Sequence, residues 1–275
     1  MMFDYLICNA QVLDGTGADA FRADVGISGG RIAAVGELAS AEAARRLDAA
    51  GRTLTPGFLD IHRHTDAALF RPGFGRAELE QGLTTLVCGN CGLSLAPLAG
   101  EHAAAVRAYL TPIVGAFDEA LCFSTMAEYF DAAARTAQPL HNAMLAGMGT
   151  LRALVAGFDA APLTDGQYRR LHTLTERALA DGAVGVSLGL GYAPECFYTT
   201  EGLIRALEPL RGGSIPVTVH MRQEGEGVTD ALREMLTVAR ALRCPVEISH
   251  LKGIGRRCWG RAVPEMLRML EEARA

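Results

Sequence analysis

From Pro56 onward, apolar runs of strand length alternate with longer amphipathic stretches, and that alternation leaves few architectures open. The runs cover residues 57–62, 84–88, 143–147, 183–187, 217–220 and 246–250. Each is short, largely apolar and bounded by turn residues, as a buried strand should be. Helices are expected between them. One starts at Thr125, with Glu128 placed to complete a capping box, and another at Thr164, with Gln167 in the matching position. The second runs through Leu171 and Leu174 to Ala180 and ends near Gly182. Residues 228–242 and 263–273 read as two more. Such alternation predicts an α/β protein with a parallel sheet and helices outside it, either doubly wound or a barrel. Residues 96–123 are longer and less regular, and are expected to form an insertion over the barrel mouth.

Residues 1–55 read differently. Residues 25–28 and 31–35 flank Gly29-Gly30 and predict a hairpin with a two-residue turn, while residues 41–45 could form one helical turn. So short a β segment makes a poor core of its own and is expected to pack on something else. The expected division is therefore 1–55, a β segment, and 56–275, a barrel. A chain of 275 residues, 49% hydrophobic, can bury one large core or two smaller ones. Net charge is -5, with no block of Lys and Arg to attract nucleic acid or an anionic membrane. The amino terminus lacks the basic start of a secretory signal, and no apolar run is long enough to cross a bilayer. Seven widely spaced cysteines, an odd number, argue for reduced thiols over a disulfide framework. These features together predict a cytoplasmic protein.

The chemistry collects at strand ends. His62 and His64, Cys91, His220 and His250 fall at or just past the carboxyl ends of the first, second, fifth and sixth runs. On a strand, residues two apart share a face, so His62 and His64 should point the same way with β carbons about 6–7 Å apart. In a barrel all these ends open onto one face, whereas a doubly wound sheet would spread them along a crevice. Imidazole and thiolate suit a borderline-soft ion such as zinc. Without an ion, the same histidines would pack or hydrogen-bond to backbone and water. His102, His141 and His172 lie in helical or loop contexts and read as ordinary polar residues. Cys88-Gly89-Asn90-Cys91 could be half a zinc knuckle or a redox pair. No second CxxC follows, and the surroundings do not match a thioredoxin-like unit. Cys91 is therefore read as a thiolate bridging two metals, with Cys88 as the last residue of its strand.

The stretch PGFLDIHRH, residues 56–64, resembles the first-strand signature of the amidohydrolase superfamily. TTLVCGNCGLSLAP, GAVGVSLGLGYAP, HMRQEGEGV and ISHLKGIG are similar, in this order and spacing, to the N-acyl-D-amino-acid deacylase (D-aminoacylase) family. The resemblance implies a small β-sandwich joined to a TIM-like (β/α)8 barrel. It implies one tight zinc on Cys91, His220 and His250, and a weaker second metal near His62 and His64. It also implies that Lys252 holds the carboxylate of a small N-acyl amino acid and that Tyr192 lines the substrate pocket. Arg222 follows a ligand directly and either faces that pocket or forms a structural ion pair. The implied reaction is zinc-dependent hydrolysis of the linear amide of an N-acyl-D-amino acid, giving a carboxylate and a free D-amino acid. Hydrolysis of a cyclic amide, as in dihydroorotase or hydantoinase, is the alternative, and a non-catalytic metal-binding fragment is another. Two departures stand out. Met148 occupies the position where the family usually has the histidine of GHGTLR. Six strands are read where such a barrel has eight, and the family's catalytic aspartate would fall beyond Ala275. On that reading the 275-residue chain is a fragment truncated after about six strands and is itself inactive.

Overall fold

The computed structural model describes residues 2–274. They separate into two units, one ending at Phe58 and one beginning at Leu59.

The first unit is a sheet. Its strands are β1 (Phe3–Val12), β2 (Phe21–Ser28), β3 (Arg31–Gly36), β4 (Ala43–Asp48) and β5 (Thr53–Leu54), in the order β3-β2-β1-β4 with β5 also paired to β1. β2 and β3 form the expected antiparallel hairpin. Gly29 and Gly30 at its turn both have positive φ, as a two-residue turn with the right twist requires. The expected helical turn at residues 41–45 is not found. That segment enters β4, which runs parallel to β1 from Phe3↔Ala43 to Cys8↔Asp48. A single helical turn fixes several residues for one hydrogen bond, whereas the ladder to β1 satisfies the backbone along the whole segment. Ala10, Val12, Ala23 and Val25 make a small core there.

A second sheet consists of β6 (Phe58–Asp60), which begins at the last residue of the first unit, and β7 (Leu83–Cys88), β8 (His141–Gly147), β9 (Gly185–Gly189), β10 (Val217–His220) and β11 (Val246–Ile248) of the second, adjacent in sequence order. All pairings from β7 to β11 are parallel. Order without reversal is the connectivity of a barrel wall; a doubly wound sheet reverses at a switch point. The helices are α1 (Arg76–Glu80), α2 (Ala103–Val114), α3 (Met126–Arg135), α4 (Met148–Ala156), α5 (Asp165–Ala180), α6 (Thr200–Ala206), α7 (Val228–Leu242) and α8 (Ala262–Arg274). Leu86, Met144, Val186, Leu188, Val217 and Val219 from the strands join Leu151, Leu171, Leu232 and Met235 from the helices in one buried core.

Local signals hold unevenly. At Thr164 both halves of the capping box form with Gln167. At Thr125 only one half does: its side chain accepts from the Glu128 N–H, while the Glu128 carboxylate turns to the Ser124 N–H. β6 stops at Asp60, so His62 and His64 lie past the strand and not on it. The Asp60 carboxylate accepts from the His62 N–H at 3.1 Å and holds the chain in that turn. Among the described residues no helix is long and apolar enough to cross a membrane.

Candidate metal centre

The loop after β7 is closely packed. Gly89, Cys91 and Gly92 all have positive φ there. A Cβ on Gly89 would run into the Leu145 carbonyl, and one on Gly92 into the Glu195 carboxylate. Cys91 has a Cβ, so its left-handed backbone must be held by its surroundings. The holding bonds are many. Tyr192 donates its hydroxyl to the Cys91 carbonyl at 2.6 Å. The Gly92 N–H donates to Ser187 Oγ at 2.9 Å, and that hydroxyl donates to the Gly89 carbonyl at 2.5 Å. The Thr150 N–H donates to the Gly92 carbonyl at 2.9 Å. Buried Asp66 accepts from the N–H groups of Gly89 and Leu95, one at each end of the loop. β9, α4 and the segment after β6 thus aim one sulfur.

That sulfur meets four imidazoles. Cys91 Sγ lies 3.3 Å from His62 Nε2 and 3.6 Å from His250 Nε2. His250 Nε2 in turn lies 3.1 Å from His220 Nδ1. The His62 and His64 ring centroids are 5.4 Å apart. Two donor sets result, His62–His64–Cys91 and Cys91–His220–His250, with the ligand atoms of each set within 4.8 Å of one another. Cys91 belongs to both, so one thiolate could bridge two cations. The structure thus brings together all five residues that the sequence singled out as ligands.

The protonation states fit a cation. Burial lowers the His64 pKa to about 4, helped by repulsion from His62. Burial also lowers His62, His220 and His250, so all four rings favour the neutral form that ligates. The His64 Nδ1 atom is buried with no hydrogen-bond partner, and such an atom needs a ligand or water. Burial pushes the Cys91 thiol up to about 12. The protein's own charges therefore leave it a thiol, and a bound cation is what would make it a thiolate. Nitrogen and sulfur donors of this kind suit zinc.

Above the cluster is a cavity of about 540 Å3, lined by the donors together with Leu93, Tyr109, Pro112, Ile113 and Tyr192. Tyr109, Pro112 and Ile113 share one face of α2, while Val106, Leu110 and Val114 bury the other. The 96–123 stretch thus forms a wall over the site through a helix that its sequence pattern did not reveal. Tyr192 shows its ring to the cavity but has its hydroxyl engaged by Cys91. Lys252 reaches the cluster too, with its ammonium bonded to Glu224 and 3.0 Å from His250 Nδ1. Arg222 turns away: it pairs with Glu234 and donates to the carbonyls of Cys196 and Tyr198. Met148 is buried at the start of α4, with its sulfur 3.6 Å from Thr175 Oγ1. His172 bonds the Arg205 carbonyl, and His102 and His141 lie in neither donor set.

The chain is 38% identical, over 99% of its length, to a D-aminoacylase of Alcaligenes xylosoxydans xylosoxydans. It covers 98% of itself against a solved structure of D-aminoacylase, studied for the role of its binuclear metal centre, with TM-score 0.87 and 39% identity. An N-acyl-D-glutamate deacylase from Bordetella bronchiseptica, solved with zinc and a phosphonate inhibitor, matches all of the chain with TM-score 0.87 and 32% identity. The chain belongs to the D-aminoacylase family. It spans 55% of the curated D-aminoacylase and 56% of each of these two structures, about half their length. No protein-family model matches the sequence. Beside His220 and His250 stands a further carboxylate that sequence reading missed, Glu224. It lies four residues after His220, inside the HMRQEGEG motif, where only its charge close to a candidate ligand could have marked it.

Proposed function

We propose that the protein hydrolyses the linear amide of N-acyl-D-amino acids in a zinc-dependent reaction, releasing a carboxylate and a free D-amino acid. The supporting observation is the single sulfur of Cys91 shared by two sets of histidines, in a chain akin to D-aminoacylases over nearly all its length. The reaction is proposed for a protein of the relatives' length that carries these residues. Cys91, His220 and His250 would hold the tight zinc, and His62 and His64 with Cys91 a weaker second ion. Zinc there supplies Lewis acidity, which polarises a carbonyl and brings the pKa of a water to about 7. Lys252 would take the substrate carboxylate in a charge-assisted hydrogen bond, exchanging it for Glu224. The Tyr192 ring, Leu93 and Ile113 would screen the reacting amide from bulk water. All seven cysteines are free, which supports a reducing compartment, and we place the reaction in the cytoplasm.

The test is an assay, on N-acetyl-D-methionine beside hydantoin and dihydroorotate, of a protein of the relatives' length that carries these residues, with zinc content measured by elemental analysis. Release of D-methionine alone is expected. Turnover of the cyclic amides instead would move the reading to a cyclic amidohydrolase. Cys91→Ala should lose tight zinc and activity together; stoichiometric zinc with full turnover in that variant would refute the role given to the sulfur.

A further inference from the structure

We propose that Glu224 is a positioning residue for the metal centre: its carboxylate faces the outer nitrogens of His250 and His220 and so turns their inner nitrogens toward Cys91. This rests on the zinc reading above. Glu224 sits in the loop between β10 and α7, and His250 lies two residues past the end of β11. Glu224 Oε1 is 3.0 Å from His250 Nδ1 and 3.8 Å from His220 Nε2. The opposite atoms of the same rings, His250 Nε2 and His220 Nδ1, are 3.1 Å apart. His250 Nε2 is also the nitrogen near Cys91 Sγ. Each ring therefore has one nitrogen toward the donor cluster and the other toward a single carboxylate.

The chemistry selects Glu224 over its neighbour Lys252. A histidine that ligates through Nε2 carries its proton on Nδ1 and needs an acceptor there. His250 Nδ1 has two polar neighbours at 3.0 Å, the Lys252 ammonium and the Glu224 carboxylate. An ammonium has no lone pair to offer, so only Glu224 can accept. The backbone at His250 has a left-handed φ of 39° two residues past β11, so no strand ladder fixes its ring. The two loops are also tied directly, with the Ile254 N–H donating to the Glu224 carbonyl at 2.6 Å. The Glu224 side chain is 17% exposed, so the contact is partly shielded from water. Lys252 shares the same carboxylate oxygen, which links the place where it waits to the ligands themselves.

The experiment is zinc titration of the chelator-stripped protein against a competing chelator, without any turnover assay. Wild type is compared with Glu224→Gln, Glu224→Ala and the control Glu226→Gln. Glu226 is an exposed carboxylate paired with Arg257. Loss of such a hydrogen-bonding partner weakens metal binding by about 10- to 100-fold. Glu224→Ala should fall in that range, Glu224→Gln should fall less because its amide oxygen still accepts, and Glu226→Gln should match wild type. Cobalt loading gives a second readout. Glu224→Gln should keep the thiolate-to-cobalt absorption band at full intensity when saturated, with weaker affinity. A fold defect would instead lower the saturated band along with far-ultraviolet circular dichroism. Equal zinc affinity in wild type and both Glu224 variants would overturn the role of Glu224. Absence of zinc binding in wild type would overturn the metal reading beneath it.

Discussion

At the scale of single residues, the Cys91 loop is where covalent detail decides geometry. Gly92 has positive φ, and a Cβ there would meet the Glu195 carboxylate and the Gly189 nitrogen. Gly92→Ala is therefore expected to cost at least about 1–3 kcal/mol through strained backbone, read as a lower urea midpoint, and to weaken zinc binding as the sulfur moves. A wild-type midpoint would show that the loop relaxes freely. Asp66 gives a pH-dependent test. It is fully buried, and burial raises its pKa from 3.8 to about 7. Between those values the folded protein holds a proton that the unfolded chain has lost. Its contribution to stability is greatest below the unfolded pKa and falls as pH rises toward the folded one. Asp66→Asn lacks this titration. In chelator, the melting temperature of wild type minus that of Asp66→Asn should therefore shrink from pH 4.5 to about 7.5. A difference that stays constant or grows over that range would contradict the assignment. Neither effect was readable from the sequence. His62, His64 and Cys91 announce themselves by type and spacing, but Asp66 and Glu224 are common residues whose meaning comes only from what they touch.

At the scale of elements, legibility followed the range of the interaction that stabilises each one. The start of α5 was legible because Thr164 and Gln167 are three residues apart and satisfy each other. Thr164→Ala should cost about 1 kcal/mol, seen in thermal or urea unfolding. Thr125→Ala should cost less, because the Glu128 carboxylate there serves Ser124 and the reciprocal half of the box is missing. Equal losses at the two sites would show that the second bond of the box adds nothing. β4 was misread for the opposite reason. Its partner, β1, lies some forty positions earlier in the chain, so no local pattern could reveal the ladder. α2 was hidden as well: Pro112 lies within it, and its cavity face is apolar like its buried face. The six strands of the second sheet were found because short apolar runs between turn residues are a local signal. Their ends shifted by a few residues, as at β6, where one side-chain bond from Asp60 closes the strand before the histidines.

At the scale of the whole molecule, the donors come from the ends of four strands and span residues 62 to 250. An ion that binds this gathered set and not the unfolded chain stabilises the fold by mass action, by about 2.7 kcal/mol at one hundred times its dissociation constant. Zinc should therefore raise the melting temperature of the chelator-treated protein in a concentration-dependent way. Cys91→Ala should blunt the rise, because it removes the ligand common to both sets. A melting temperature indifferent to zinc in wild type would argue that the donors do not form a site. The sequence by itself determined the strand–helix alternation, the residue types at the strand ends and the family resemblance, because each is written in composition and spacing over short stretches. Only the tertiary structure decided that the sheet keeps sequence order without reversal, that Cys91 is common to two histidine sets, and that Glu224 and Lys252 stand behind His250. Those facts depend on strands far apart in the chain becoming neighbours, and no local pattern encodes which side-chain atoms then meet.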